Sequence, residues 1–316
     1  MQTISTKYGT LKGISSSELF EDGRIKGCIV TEFNELLTPY GILVPQYETG
    51  NVRRKYTSSV TFHNNGNIRS ISLHQQTPIQ TSIGKFPAEL LMFYENGSLK
   101  RLFPLNGKIS AFWTEEDEYG LAEEFDFEFS FGSFKKKVIA VYFHESGSVK
   151  GLTFWPGDSV SIHSPIGEVD TRIGITLYPN GQLKSFEPNT SILVDTPIGK
   201  ITAYNPDAIG IHGDLNSFVF YGDGSIKSLM SSHNLVTITD HHGRKEAVSP
   251  RLKPSLLYDN KMDIMPLLIV FYDHKVGLGN RSIKQYEIDD FTFAIYHIPQ
   301  VYKPKISDCS GCDVCG

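Results

Sequence analysis

Cysteine is scarce in this chain. Only four occur among its 316 residues, and three of those lie within the last eight. Folds that depend on disulfides carry many more cysteines, spread along the chain, so a disulfide framework is excluded. With 40% apolar and 21% charged residues, the chain has the composition of a globular protein that buries a core of its own.

Long apolar runs are also lacking. The longest, residues 265–272, is far shorter than the roughly 20 residues that a membrane-spanning helix needs. The first 20 residues are polar and rich in Ser and Thr, without the apolar stretch of a secretion signal. We therefore expect a cytoplasmic protein without a membrane partner.

Positive charge is not in excess. Lys and Arg together number 30 against 35 Asp and Glu, which gives a net charge of −5 at pH 7. A chain that coats nucleic acid or an anionic membrane carries the opposite balance. The composition therefore argues against a nucleic-acid partner.

The familiar catalytic motifs are missing as well. The sequence contains no Gly-x-Ser-x-Gly elbow, phosphate-binding loop, dinucleotide fingerprint or His-Glu-x-x-His helix. His144-Glu145 lies in a predicted hairpin, and no nucleophile is paired with a base. The sequence thus predicts no catalytic residue.

What the chain does contain is a repeat of a turn residue, Gly, any residue, an aliphatic residue and a basic residue. It occurs at residues 22–26, 49–53, 65–69, 96–100, 146–150, 180–184 and 223–227, with a looser copy at 279–284. Asn-Gly and Asp-Gly favour two-residue type I′ turns, so each copy predicts a β-hairpin. Apolar residues four and six positions before the glycine predict a strand, and apolar residues two and five positions after it predict a bulge.

A second class of turn alternates with the first. Ser or Thr is followed three residues later by Gly at residues 38–41, 81–84, 164–167 and 196–199, and Gly243 takes the same place in the sequence. Such strings suit a turn that the hydroxyl caps. No stretch shows a helical apolar period. The two alternating turns predict an all-β fold, an antiparallel meander of repeated β-hairpins that forms an elongated or curled sheet.

The pattern also suggests a division of the chain. Residues 1–244 form the hairpin array, interrupted at 114–137 by an insertion with an acidic first part and three lysines near its end. Prolines break the pattern after residue 245, which predicts a crossover and a final β unit over 245–298. Residues 299–316 form a Cys-rich tail.

Two segments carry a resemblance to a known family. Residues 93–100 and 177–184, with an aromatic residue, an Asn-Gly turn and an aliphatic-Lys pair, resemble the variant form of the MORN repeat. The resemblance implies an elongated β-hairpin array that acts as an interaction scaffold, and it transfers no catalytic residue. The chain departs from that family in its longer unit and in its Thr-Pro-x-Gly turns.

Two columns of side chains follow from the repeat. The basic column contains Lys26, Arg53, Arg69, Lys100, Lys150, Lys184 and Lys227. The aromatic and histidine column, three residues before each glycine, contains Phe20, Tyr47, His63, Tyr94, His144, Tyr178 and Tyr221. Cations interleaved with rings can bind a polyanion or a single nucleic-acid strand, and the alternative is a cross-strand ladder that stabilises the sheet.

Two clusters are candidates for metal ligands. The carboxylates between Glu115 and Glu128 lack the order of a calcium loop and favour a solvated segment. Asp240-His241-His242 offers two imidazoles, but adjacent strand residues point to opposite faces, which argues against a shared metal.

The tail carries the strongest motif. Cys309, Cys312 and Cys315 are spaced C-x2-C-x2-C and resemble the first three cysteines of a ferredoxin-type iron–sulfur motif, although the fourth cysteine and its proline are missing. Cys28, Asp308 or Asp313, or a thiolate of a second chain, would have to complete the ligand set. Three readings stay open, namely an iron–sulfur cluster, zinc, and a free thiol tail. Cys28 alone is typical of a small buried residue.

Together these observations predict a non-catalytic interaction scaffold that binds a protein partner and holds an iron–sulfur cluster or zinc in its tail. One alternative is a redox accessory protein whose tail carries an iron–sulfur cluster. Another is a binder of single-stranded nucleic acid or another polyanion.

Overall fold

A computed structural model describes residues 3–48, 52–54, 58–208, 215–255 and 261–299. The first half contains β1 Ile4–Thr6, β2 Gly9–Leu11, β3 Ile14–Leu19, β4 Ile25–Val30, β5 Leu36–Thr38, β6 Gly41–Leu43, β7 Val60–Phe62, β8 Ile68–Thr81, β9 Gly84–Phe93, β10 Leu99–Phe103, α1 Glu115–Leu121, β11 Glu124–Phe129, β12 Gly132–Phe143 and β13 Val149–Phe154. The second half contains β14 Ser159–Ser164, β15 Gly167–Leu177, β16 Leu183–Pro188, β17 Ile192–Thr196, β18 Gly199–Ala203, β19 Phe218–Phe220, β20 Ile226–Ser231, β21 Asn234–Thr239, β22 Lys245–Val248, β23 Arg251–Pro254, β24 Met262–Met265, β25 Leu267–Tyr272, β26 Lys275–Gly279, β27 Ile283–Glu287 and β28 Thr292–His297. The predicted all-β fold is confirmed.

The chain divides into two compact units. The first contains Met1–Asn189 and Ala208–Ser225, and the second contains Thr190–Asp207 and Ile226–Gly316. The division at residues 244 and 298 that the prolines suggested stays a prediction, and its last segment lies beyond residue 299, outside the described residues.

The first unit is built on one antiparallel meander. Its strands pair in the order β3, β4, β7, β8, β9, β10, β12, β13, β15, β16 and β19. The first halves of β12 and β15 leave this meander to pair with β11 and β14. Each repeat therefore consists of one hairpin in the meander and a second hairpin that extends from it.

The glycine turns in the meander differ from the predicted type. In the turn at Gly66, the amide of Gly66 donates to the carbonyl of His63, and the amide of His63 donates to the carbonyl of Asn67. Gly66 has φ +80°, whereas the only described non-glycine residues with positive φ are Ile173 and His274. The type I′ prediction is therefore wrong. The loop is a type I turn followed by a left-handed glycine, which needs positive φ at one position only.

A bulge follows each of these turns, as predicted. In the second repeat, Phe62 pairs with Ile68 and Thr61 pairs with Ser70, so Arg69 is left as the extra residue. The same shift leaves out Lys26, Lys100, Lys150 and Lys184 in the other hairpins. Five members of the basic column are therefore bulged residues, and a residue outside the ladder leaves its side chain to the solvent.

The second class of turn has the predicted hydroxyl cap. Thr81 Oγ1 donates to the carbonyl of Gly84 at 2.7 Å and accepts from the amide of Ile83 at 3.3 Å. The hydroxyls of Thr38, Ser164 and Thr196 donate to the corresponding glycines. Thr6 donates to Gly9 in the same way and closes the β1–β2 hairpin, whereas Phe129 to Gly132 closes the β11–β12 hairpin in a turn of the same length without the hydroxyl. Gly243 instead follows a turn of the first class, because its amide donates to Asp240.

The core of the first unit is a row of apolar residues that crosses the meander. The registers place Cys28, Val60, Ile71, Leu91, Leu102, Val141, Leu152, Ile175, Phe186 and Phe218 beside one another on ten successive strands. Each is at most 2% exposed. Burial of such side chains stabilises the fold by about 1.5–3 kcal/mol each.

The insertion at residues 114–137 contains an unpredicted helix. Thr114 caps α1, and the side chain of Asp117 bonds back to the backbone of Thr114 to form a capping box. The helix is only seven residues long, so its apolar period was too short to detect. The rest is a hairpin, in which Glu124 and Asp126 of β11 face Lys137 and Lys135 of β12.

The second unit contains smaller sheets. Strands β20, β25, β26 and β27 pair in that order, and β21 lies between β22 and β28. Two further hairpins are β17–β18 and β23–β24. Pro250 and Pro266 lie between strands and Pro254 ends β23, so the prolines after residue 245 do not break the β structure.

Candidate functional site

The aromatic column forms hydrogen bonds between successive repeats. Tyr94 donates its hydroxyl to the carbonyl of Phe143 at 2.9 Å, and Tyr178 donates to that of Phe220 at 2.8 Å. The Nε2 atoms of His63 and His144 lie 3.0 and 3.1 Å from the carbonyl oxygens of Phe93 and Leu177. Each accepting carbonyl belongs to the residue directly before the next member of the aromatic and histidine column. These side chains therefore join neighbouring hairpins.

The basic column contacts the same rings. Lys100 Nζ lies 5.3 Å from the ring centre of Tyr94, and Lys184 Nζ lies 5.7 Å from that of Tyr178. Cations over rings at this distance stabilise by about 0.5–1 kcal/mol at exposed sites. The two columns thus fit the cross-strand ladder better than a binding face for a polyanion.

Arg53 and Tyr47 depart from these columns. Tyr47 stacks on His74 with ring centres 4.0 Å apart, and Arg53 is buried. The glycine assigned to this copy, Gly50, lies outside the described residues. The recurrence of the string at 49–53 therefore does not place Arg53 with the other basic residues.

Arg53 is the centre of a buried ion cluster. Its guanidinium binds Glu89 of β9 through two bonds of 2.9 and 2.7 Å, and Glu118 of α1 through two more of 2.7 and 2.9 Å. The amides of Asn106 and Gly107 and the indole of Trp113 donate to the same two carboxylates at 2.7 Å. The cluster attaches the insertion to the sheet, so its role is structural.

Electrostatics agree with this assignment. Burial acts to raise the pKa of Glu118, but the bonds from Arg53, Trp113 and Gly107 outweigh it and hold that pKa below its usual value. Glu118 is thus a buried anion rather than part of a solvated acidic loop, which corrects the interpretation of that residue. The neighbouring Glu115 and Glu116 are exposed, as expected.

A further buried carboxyl, outside the ion cluster, belongs to Glu187 on β16. Glu187 is 1% exposed and accepts from the amide of Ser217 at 2.7 Å and from its hydroxyl at 2.9 Å. Burial raises the pKa of Glu187 to about 7, although the bonds from Ser217 and the charge of Arg172 act in the opposite direction. A carboxyl and a hydroxyl in contact suggest a base and a nucleophile, but Ser217 is itself only 5% exposed and the pair is packed inside the unit.

Only some of the candidate metal ligands lie within the described residues. Among the described residues, no group of three or more His, Cys, Asp or Glu side chains converges as metal ligands. Asp240 instead bonds to Arg244 and to the amide of His242. His241 and His242 lie in a turn rather than on a strand, and their ring centres are 3.9 Å apart, so the argument that they point to opposite faces of a strand was wrong.

Among the predicted metal ligands of the tail site, Cys28 alone lies within the described residues. It is 2% exposed in the apolar row, and burial raises the pKa of its thiol to about 11. Cys309, Cys312 and Cys315 lie outside the described residues. A site shared by the four cysteines therefore stays a prediction, as does the choice between an iron–sulfur cluster and zinc.

One surface feature breaks the pattern of the six hairpins that the second class of turn closes, five of them with a hydroxyl cap and β11–β12 without one. The pair of residues that flanks the turn is polar or charged in five copies, namely Ser5–Thr10, Gln80–Lys85, Glu128–Ser133, His163–Glu168 and Asp195–Lys200. In the sixth copy it is Leu37–Ile42, and these side chains are 71% and 54% exposed. All twelve residues are exposed, so the difference lies in chemistry and not in position.

A cationic cleft lies in the second unit. It has a volume of about 480 Å³, and its walls are β22, β23 and the segment that joins β26 to β27. Arg251, Lys253, Arg281 and Lys284 line it, with Glu246 as the one lining carboxylate. Sequence analysis missed this site because its residues are far apart in sequence and follow no repeat.

Comparisons with known proteins do not identify the chain. No family model, curated protein or solved structure matches it. The resemblance to MORN repeats therefore stays a prediction. Among the described residues, no helix is both long and apolar enough to cross a membrane.

The ladder between repeats can be tested by removing one hydroxyl at a time. Tyr178→Phe and Tyr94→Phe each keep the ring but lose the bond to the next repeat. We expect each to lower the free energy of unfolding by about 1 kcal/mol, measured by urea denaturation. Tyr296→Phe, at a site 56% exposed, is the control and should change nothing. Variants as stable as the wild type would contradict the ladder.

The buried carboxyl predicts a pH-dependent stability. The folded state raises the pKa of Glu187 from 4.5 to about 7, so it binds the proton more tightly than the unfolded chain does. Wild-type stability should therefore fall as pH rises from about 4.5 to 7. Glu187→Gln mimics the protonated form and should lack this fall, with a gain of up to about 3 kcal/mol over wild type above pH 7.

The measurement is urea unfolding of wild type and variant across this pH range. The difference between the two proteins cancels the other titrating groups. Glu168→Gln, at an exposed position near the start of β15, provides the control and should follow the wild type. A constant difference between Glu187→Gln and wild type at all pH values would refute the role of this carboxyl.

Proposed function

We propose that the chain is a non-catalytic scaffold that binds a protein partner through the exposed Leu37–Ile42 pair. The observation that carries the proposal is the replacement of a polar pair by two large apolar side chains in one of six equivalent hairpins. A solvent-facing position gains nothing for folding from Leu or Ile, since the other five copies form the same hairpin without them.

The site suits a protein rather than another ligand. Leu37 and Ile42 face each other across β5 and β6, so they present one continuous apolar surface. Contacts of this kind form the core of protein interfaces, where a few buried residues supply most of the affinity. The hairpin is held by the Thr38 hydroxyl, which donates to Gly41 at 2.8 Å, so the surface is presented on a defined turn.

The bonding of the buried polar groups also supports a scaffold over an enzyme. Arg53 is bonded to both Glu89 and Glu118, and Glu187 is bonded to Ser217. The rings of His63 and Tyr94 join repeats. Within the described residues, these side chains serve to hold the fold.

The test exchanges the apolar pair for one that the chain already uses. Leu37→Gln with Ile42→Lys copies the Gln80–Lys85 pair, so the hairpin should still form. Proteins cross-linked to the wild-type chain in its own cells are identified by mass spectrometry, then purified and titrated against it. We expect the double variant to bind the partner at least tenfold more weakly.

The matched control changes an equivalent pair that is already polar. Gln80→Ser with Lys85→Thr copies the Ser5–Thr10 pair and should bind the partner like the wild type. Light scattering tests self-association in parallel. Equal partner binding by both double variants, or a dimer of the wild type that the Leu37/Ile42 variant loses, would overturn the proposal of a separate partner.

The spacing of the tail cysteines favours a second candidate, a metal-carrying accessory protein. If Cys309, Cys312 and Cys315 hold iron and sulfide, protein purified without oxygen should absorb visible light broadly and contain iron, and Cys312→Ser should lose both. Zinc without colour would indicate a structural site. Cys28→Ala shows whether Cys28 completes the set. Wild-type protein without metal would contradict this candidate.

A further inference from the structure

The cationic cleft of the second unit is lined mainly by positive charge, whereas the whole chain has a net negative charge. Four cationic side chains and one carboxylate line a cavity of about 480 Å³, although the whole chain has a net charge of −5. Clefts with walls of one charge concentrate the field and attract ions of the opposite sign.

Pairing within the unit leaves two of these cations available. Lys284 bonds to Glu246, and Lys253 bonds to Asp207. Among the described residues, Arg251 and Arg281 have no carboxylate partner, and both side chains are exposed at the cleft. Guanidinium groups bind phosphate or carboxylate through two parallel hydrogen bonds. Arg251 and Arg281 are therefore the groups to which an anion in the cleft would bind.

A second cavity continues the site. It has a volume of about 380 Å³ and shares Glu246, Lys284 and Tyr286 with the first. Arg244 and Lys245 add two more cations, of which Arg244 bonds to Asp240. The cationic surface therefore extends beyond the space that one orthophosphate occupies, and it fits a ligand with several anionic groups in a chain.

We propose that the second unit binds an oligophosphate, with Arg251 and Arg281 as its direct ligands. Phosphate suits the site because each group offers several acceptor oxygens to the two guanidiniums and to Lys253. A single nucleic-acid strand fits less well, since the ring of Tyr286 is 4% exposed and offers no face for base stacking. This inference is independent of the Leu37–Ile42 scaffold.

The ligand also has a physical reason to bind. Arg251 and Arg281 share one cleft with Lys253 and Lys284, so like charges repel one another there. A bound oligophosphate would offset that repulsion and stabilise the folded unit by mass action. Its affinity should fall steeply with salt, because the attraction is between charges at an open surface.

The test is calorimetric titration of the full chain with tripolyphosphate at low salt. We expect saturable binding that is at least tenfold tighter than that of orthophosphate or citrate, with a rise in melting temperature. No binding of tripolyphosphate would overturn the proposal. Citrate that binds as tightly would also overturn it, because the site would then select charge or carboxylate rather than linked phosphates.

Variants locate the site. Arg251→Gln and Arg281→Gln should each weaken tripolyphosphate binding at least tenfold. Both residues are exposed, so the variants should melt at the wild-type temperature when the ligand is absent. Lys200→Gln removes the same charge from β18, where Lys200 pairs with Asp195, and should bind like the wild type. An equal loss in all three variants would indicate nonspecific attraction and refute the assignment.

Discussion

The left-handed glycine that ends each meander turn is the constraint on which the first unit depends. It closes a type I turn and forces one extra residue, such as Arg69 or Lys100, out of the ladder. That single-residue shift places Leu102 beside Leu91 and Leu152 beside Val141. Because side chains alternate between faces, a register one residue different would turn the apolar row toward water.

In the same geometry, most of the reactive side chains make contacts that stabilise the sheet. The bulge places lysines over tyrosine rings, and four of the residues that open these turns, namely His63, Tyr94, His144 and Tyr178, reach the carbonyl of the next repeat. A long insertion is then held by Arg53, whose burial would be costly without Glu89 and Glu118 as partners. In this chain, a residue that recurs with the repeat serves the sheet.

Function is therefore to be sought where the repeat is broken. Leu37 and Ile42 occupy positions that are polar in the equivalent hairpins, and the cationic cleft lies in the second unit, where the hairpins differ in length and pairing. These departures are not required by the fold, since other copies or other strands form without them. They are the places at which a partner or a ligand can contact the protein.

The sequence by itself determined the local features of this protein. Period-two apolar spacing, the two classes of glycine turn, the bulge and the hydroxyl cap all depend on residues within about ten positions of one another, so the all-β meander followed from them. The type I′ assignment was wrong because Asn-Gly also occurs where only the glycine has positive φ. Only the tertiary structure decided that Arg53 is buried with Glu89 and Glu118, that Glu187 meets Ser217, and that Arg251 and Arg281 share one cleft. These contacts join residues 30 to 65 positions apart, and their burial depends on how distant strands pack, which no local pattern encodes.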